Sequence, residues 1–167
     1  CEIGPNTMLV DCTVGDGVTI NSSQCNESTI DSGAHVGPFA YIRPNCHVGA
    51  DVKVGDFVEL KNSTIGKGTK ISHLTYVGDA DVGRKVNFGC GTVLVNYDGN
   101  RKYRSTIGDH CFIGCNTNLV SPVHIGDGAY TAAGSTITQD VEPDALAIAR
   151  ARQVAKPGWA AAHRAKK

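Results

Sequence analysis

Residues 30–60 read IDSGAHVGPFAYIRPNCHVGADVKVGDFVEL, and their spacing decides the fold. An aliphatic residue falls at Ile30, Val36, Ile42, Val48, Val54 and Leu60, every sixth position without a miss. The step continues through Ile65, Ile71 and Val77, then Val82, Phe88 and Leu94. It resumes at Ile107, Ile113, Leu119, Ile125, Thr131 and Ile137. A period of six fits neither a helix nor an isolated alternating strand. It does fit a short strand and a turn repeated, three hexads to a coil, each aliphatic pointing inward onto its counterpart one coil away. Glycine follows many of these residues, as at Gly37, Gly49, Gly55, Gly66 and Gly114. There it is expected to allow corner conformations that other residues resist.

The pattern therefore predicts an all-β chain: a left-handed parallel β-helix of hexapeptide repeats over residues 1–141. Residues 1–20, CEIGPNTMLVDCTVGDGVTI, keep the rhythm loosely. Leu94 and Ile107 lie thirteen steps apart, where two hexads need twelve. Residues 96–104 between them are polar, aromatic and rich in turn formers, so they are expected as an extruded loop. Loops on rigid solenoids often carry function, and a harmless insertion is the alternative. Residues 142–167 are expected as a C-terminal arm or tail. EPDALAIARARQ suits a short helix or an extended arm, and KPGW an irregular tail.

Composition narrows the function classes. A chain of 167 residues suits one domain, and a formal net charge of zero offers no bulk field for nucleic acid or an anionic membrane. The basic C-terminal residues form only a short solvated tail. No apolar run is long enough to span a bilayer and no signal peptide opens the chain, so a soluble, cytoplasmic protein is expected. The seven cysteines form no CxxC pair, which points to free thiols in a reducing compartment and no metal site. Twenty glycines with only 6% aromatic residues suit neither a helical bundle nor an ordinary sandwich.

The register also says what lies outside. Ile42 and Leu60 are eighteen residues apart, and one shortened hexad brings Val77 onto the same face. Tyr41, Glu59 and Tyr76 then project outward on one side of this ridge, and Arg43 and Lys61 on the other. Cations on adjacent rungs repel unless an anion sits between them, and Arg with Lys is a familiar pairing for phosphate. Two solvated side chains splaying apart is the alternative. His73 falls two residues past inward-facing Ile71, at the adjoining corner. A carboxylate bonded to one ring nitrogen would leave the other as a base, and Glu59 is the expected partner. A polar residue on a turn remains the plain reading of His73.

Two strings, VELKNSTIGKGTKISHLTYVGDA (58–80) and NYDGNRKYRSTIGD (96–109), are far more specific than the repeat. With their surroundings they resemble the acetyltransferase domain of the bacterial bifunctional N-acetylglucosamine-1-phosphate uridyltransferase and glucosamine-1-phosphate acetyltransferases, over residues 1–159. The resemblance implies acetyl transfer from acetyl-CoA to the 2-amino group of glucosamine 1-phosphate, on the route to UDP-N-acetylglucosamine. It implies His73 as general base, Arg43 and Lys61 on the sugar phosphate, and Tyr76 and Asn87 as further sugar contacts. Asn96, Tyr97 and Lys102 belong to the loop that shapes the acetyl-CoA and sugar sites. Cys90, Cys115, Ala133 and Arg150 match acetyl-CoA contacts. The resemblance further implies a homotrimer with sites between subunits, and no metal for acetyl transfer; Mg would serve only a uridyltransferase half.

Two departures stand out: Cys115 where serine is expected and Cys90 where alanine is expected. Both are small, so backbone contacts can survive, but a thiol donates a weaker hydrogen bond than a hydroxyl. Nothing here matches the family's Gly-rich nucleotide loop, so the chain is expected to be a C-terminal fragment. Direct transfer is expected over an acetyl-cysteine intermediate. Among rivals, a γ-type carbonic anhydrase needs two histidines five apart, and none of the six histidines forms such a pair. An ice-binding solenoid needs threonine ladders on one flat face, and the threonines read as scattered. Another hexapeptide acyltransferase, acting on a different amino sugar or nucleotide sugar, is the remaining alternative.

Overall fold

A computed structural model describes residues 1–165. The inward aliphatics cannot be buried by a single strand, so successive coils stack and the chain closes into a three-sided parallel β-helix. The first face has nine strands in line, from Glu2–Ile3 through Lys53–Asp56 and Lys70–His73 to Leu146–Ala147. The second has eight, among them Tyr41–Ile42, Glu59–Lys61, Tyr76–Gly78 and Val93–Val95, and the third has seven. Every strand pairs in parallel with the strand one coil away. Leu60 stands against Ile42 on one side and Val77 on the other, as the shortened hexad predicted.

The residues of the six-step pattern form the core: Ile30, Ile42, Val48, Leu60, Ile71, Val77, Ile113 and Ile125 are fully or almost fully buried. A second inward column lies two positions before them. It takes valines such as Val52, Val58 and Val86, and small residues such as Ala34, Ser63, Thr69, Ala80, Thr92 and Thr117. Their hydroxyls close backbone gaps at the corners: Ser63 Oγ donates to the Lys61 carbonyl at 2.8 Å and accepts the Ala80 N–H at 3.1 Å. Among the described residues no buried side-chain polar atom lacks a partner. Cys25 is part of this core; burial, with Cys12 and Cys46 nearby, pushes its thiol up to about 12.

Most of the glycines after the aliphatics serve a different purpose from the one expected; Gly37, with φ of 105°, takes the expected kind of conformation. Left-handed corner positions are filled largely by other residues, including Asn45, Asp51, Asn62, Phe39, Phe57 and Leu74. None of those is β-branched, which is the steric limit at positive φ. The glycines after the aliphatics instead permit close stacking of coils. A Cβ on Gly66 would lie 2.4 Å from the carbonyl carbon of Gly83, and one on Gly55 only 2.0 Å from the carbonyl oxygen of Ser72.

Two boundaries also differ from expectation. The solenoid runs past residue 141, because Leu146–Ala147 pairs with Tyr130–Thr131 as a ninth rung. EPDALAIARARQ is therefore extended rather than helical. The helix falls later, at Trp159–Arg164, where an irregular tail was expected; it has no buried residue, and Trp159 stacks on His163. Lys166 and Lys167 of the basic tail lie outside the described residues. Among the described residues no helix is long and apolar enough to cross a membrane.

The threonines are less scattered than the sequence suggested. Outward positions on the third face read Thr13, Thr29, His47, Thr64, Asp81, Thr106 and His124, one per coil. His47, Asp81 and His124 interrupt that ladder.

Candidate functional site

Beyond each first-face strand the chain turns toward the second face, and the second residue past the inward one sits at this corner. Val54, Ile71, Phe88, Ile113, Thr131 and Ala147 follow one another in register. The corner column two residues on is therefore Asp56, His73, Cys90, Cys115, Ala133 and Ala149. His73 Nδ1 lies 2.8 Å from Asp56 Oδ1, with both residues at the surface. The His73 hydrogen bond holds the Asp56 carboxyl below the usual carboxylate range. An ionised carboxylate only accepts, so Nδ1 carries a proton and, in the neutral ring, Nε2 presents a lone pair. This is the arrangement a general base requires. Asp56, and not Glu59, is the acid bonded to the imidazole.

Cys90 is half-buried and Cys115 exposed on the next two rungs above His73. Ala133 is the third, and Arg150 Nη1 donates to the Ala133 carbonyl. The four residues matched to acetyl-CoA contacts thus lie on or against the same corner as His73.

Around that corner, the second face presents two outward rows. Tyr41, Glu59, Tyr76 and Val93 form the first, by direct register. Arg43 and Lys61 belong to the second, and each has an acid. Arg43 Nη1 donates to Glu59 Oε1 at 2.9 Å, with both side chains about 40% exposed. Lys61 Nζ donates to both oxygens of Asp79, at 3.1 and 3.2 Å, with the side chains 16% and 8% exposed. The expectation of two cations without acids is corrected: Glu59 is occupied by Arg43, and Lys61 rests on a buried carboxylate. The next position in that row is Gly78, where a Cβ would stand 2.3 Å from the Tyr76 hydroxyl, so only glycine lets the ring lie there.

The 96–104 segment folds back on itself. Tyr97 and Lys102 form an antiparallel bridge, and Asp98 closes the tip by accepting the N–H groups of Asn100 and Arg101 at 2.8 and 2.6 Å. At one root Asn96 Nδ2 donates to Asp79 Oδ2 at 2.6 Å and to the Tyr76 hydroxyl at 3.3 Å. At the other, Arg104 grips both oxygens of Asp81 and also donates to the carbonyls of Asn62 and Ala80. An open cleft results, lined by Lys61, Asn62, Asp79, Lys102, Tyr103 and Arg104.

Within one chain, then, Asn96 and Lys102 stand with Lys61 and Tyr76 rather than along the cysteine column. Tyr97 is exposed, its hydroxyl donating to the Gly99 carbonyl. Asn87 is not joined to the others: it faces outward on the first face, between Lys70 and Phe112. Sequence reasoning missed Asp56, Asp79 and Arg104. The signal for Asp56 was present, since pairing Val54 with Ile71 places it on His73. Asp79 sits at a left-handed corner, outside the hexad alternation, and carried none. Among the described residues no group of three or more His, Cys, Asp or Glu could hold a metal ion.

A family model described as the GMPPB C-terminal domain matches residues 24–98, and one described as bacterial transferase hexapeptide (six repeats) matches residues 104–139. Over 159 residues, 95% of its length, the chain is 59% identical to the bifunctional protein GlmU of Clostridium kluyveri. The chain is thus similar to the C-terminal part of GlmU. The GlmU proteins of Clostridium acetobutylicum and Acetivibrio thermocellus are 58% and 57% identical over the same share. The chain spans about a third of the length of these GlmU relatives, 34–35%. Among solved structures, LpxA from Acinetobacter baumannii matches with a TM-score of 0.71 at 16% identity, covering 89% of this chain and 67% of that one. A variant of GDP-perosamine N-acetyltransferase from Caulobacter crescentus, in complex with CoA and GDP-perosamine, matches with a TM-score of 0.57 at 23% identity, covering 72% and 52%. Both likenesses are of fold.

Proposed function

We propose that the chain is an acetyltransferase domain that moves the acetyl group of acetyl-CoA to the 2-amino group of α-D-glucosamine 1-phosphate, yielding N-acetylglucosamine 1-phosphate for UDP-N-acetylglucosamine and cell-wall precursors. The observation that carries this reading is the His73–Asp56 pair, set between the Cys90–Cys115–Ala133 column and the Arg43–Lys61–Tyr76 face. The level of identity to GlmU, and the resemblance of residues 58–80 and 96–109 to the acetyltransferase family, support it independently.

In this reading Arg43 and Lys61 hold the sugar phosphate and orient the amine, a proximity contribution. Acetyl-CoA supplies the thioester carbonyl along the corner column, with Arg150 near the coenzyme's phosphates. The neutral amine attacks that carbonyl and His73 Nε2 takes the proton the nitrogen loses. The C–S bond then breaks and CoA leaves as thiolate. Asp56 keeps Nδ1 protonated and offsets the imidazolium charge that forms. Asn87, which is not joined to this cluster in one chain, and Tyr97, which is exposed on the loop, are assigned to sites completed by neighbouring subunits of a homotrimer.

The reading is tested by following CoA thiol release with acetyl-CoA and glucosamine 1-phosphate. His73→Ala is expected to lower kcat by about 10²–10⁴-fold, the usual contribution of a positioned base, while the melting temperature stays near that of the parent. Retained turnover in a folded variant would remove His73 as the base. Absence of transfer by the parent protein to any amino sugar would remove the reading itself.

A further inference from the structure

The geometry points to Asp79 as the positioning residue for phosphate recognition: it fixes Lys61 and ties the 96–104 loop to the same cleft. This rests on the acetyltransferase reading above. Asp79 itself is buried at a corner with φ of 52°, and both its oxygens are taken up by protein donors, so it acts through others.

Its two oxygens receive four hydrogen bonds. Lys61 Nζ spans both; Asn62 Nδ2 reaches Oδ1 at 2.7 Å and Asn96 Nδ2 reaches Oδ2 at 2.6 Å. Asn62 comes from the corner after Glu59–Lys61, and its carbonyl in turn accepts from Arg104 at 2.9 Å. Asn96 is the root of the loop and also donates to Tyr76. One carboxylate therefore joins the phosphate-side lysine, the sugar-side tyrosine and both walls of the cleft.

The consequence for Lys61 is specific. Lysine is a flexible point charge, and holding it normally costs rotamer freedom at the moment of binding. Two of its three N–H bonds are committed to Asp79, so the ammonium is immobilised before any ligand arrives and keeps one proton for an incoming oxygen. Arg43, on an exposed pair with Glu59, has no comparable anchor. The pair Arg104–Asp81 clamps the loop but is itself half-exposed and does not touch Lys61. Asp79 is thus the group whose loss should appear in recognition of the phosphate rather than of the coenzyme.

Asp79→Asn separates this role from a structural one. Asparagine tolerates positive φ and keeps the shape, but it offers one oxygen and turns an amide donor toward Lys61 or Asn96. The expected result is a rise of about tenfold in KM for glucosamine 1-phosphate, the scale of one charge-assisted hydrogen bond, with KM for acetyl-CoA moving less than about twofold. The preference for glucosamine 1-phosphate over glucosamine, as a ratio of kcat/KM, should fall by a similar factor. In a Lys61→Ala background Asp79→Asn should add little, because its effect passes through Lys61. Unchanged KM for the sugar phosphate, an equal loss toward both substrates, or full additivity with Lys61→Ala overturns the proposal. If the parent protein does not acetylate glucosamine 1-phosphate, the acetyltransferase reading fails alone; calorimetry with inorganic phosphate then decides, weaker binding by Asp79→Asn supporting Asp79 and equal binding overturning it.

Discussion

At the scale of single residues, the pairing of His73 with Asp56 separates two contributions that usually travel together. The carboxylate fixes the tautomer and supplies charge. Asp56→Asn keeps an oxygen that can accept from Nδ1–H, so it removes the charge and leaves the ring orientation available. Transfer is expected to slow by about 10- to 100-fold in kcat, less than for loss of the base itself, with KM for both substrates little altered. A rate equal to the parent's would leave Asp56 as a surface contact only. Glu59→Gln, by contrast, should act through Arg43, since Glu59 bonds that guanidinium. The position of His73 at a corner, and the stacking of Arg43 on Lys61, were legible from hexad counting. Asp56 was legible too, but only by counting on the first face, where Val54 pairs with Ile71; counting along the second compares Glu59 with Tyr76 and passes over it. Asp79, at a left-handed corner, was not.

Among the elements, the coil is the unit that the sequence describes best. The three inward residues of the six-step pattern in each coil are almost all buried, while the second inward column two positions before them, with Val52, Val58 and Val86 among it, lies outside that pattern. What the period leaves out is the spacing between coils, which glycine controls. Gly66→Ala places a methyl group 2.4 Å from the backbone of Gly83, where no flexible side chain can yield. Overpacking of this kind costs about 1–3 kcal/mol. For a chain of this size the melting temperature should fall by about 2–4 °C for each of those kcal/mol. A variant as stable as the parent would show that neighbouring coils can separate cheaply. The loop is the opposite case: its extra step was visible between Leu94 and Ile107, but its docking depends on what meets Asn96 and Arg104. Asn96 bonds Asp79, a left-handed corner that no periodicity marks, and Arg104 bonds Asp81, an outward position of the third face whose partner lies more than twenty residues away in sequence.

For the whole molecule, charge arrangement sets the acid limit. Hydrogen bonds from His73 and from Arg104 hold Asp56 and Asp81 below the ordinary value of 3.8. Burial works against Asp79, yet its donors Asn62, Asn96 and Lys61 outweigh that and hold it low as well. Carboxyls depressed in the folded state stabilise it fully above their unfolded value and lose that contribution as pH falls through the folded one. Thermal melts should therefore be nearly level from about pH 7 to 5 and decline steadily below about 4, with a shallower decline in Asp79→Asn. A melting temperature that rises on acidification would contradict the assignment. The corner column running from Asp56 to Ala149 has one more consequence. Its members are spaced by the strand separation of about 4.8 Å, which backbone hydrogen bonding holds constant. It is a ruler with fixed graduations: any molecule lying along it is measured from the imidazole in whole rungs, and evolution can change what is written at each mark but not the distance between marks.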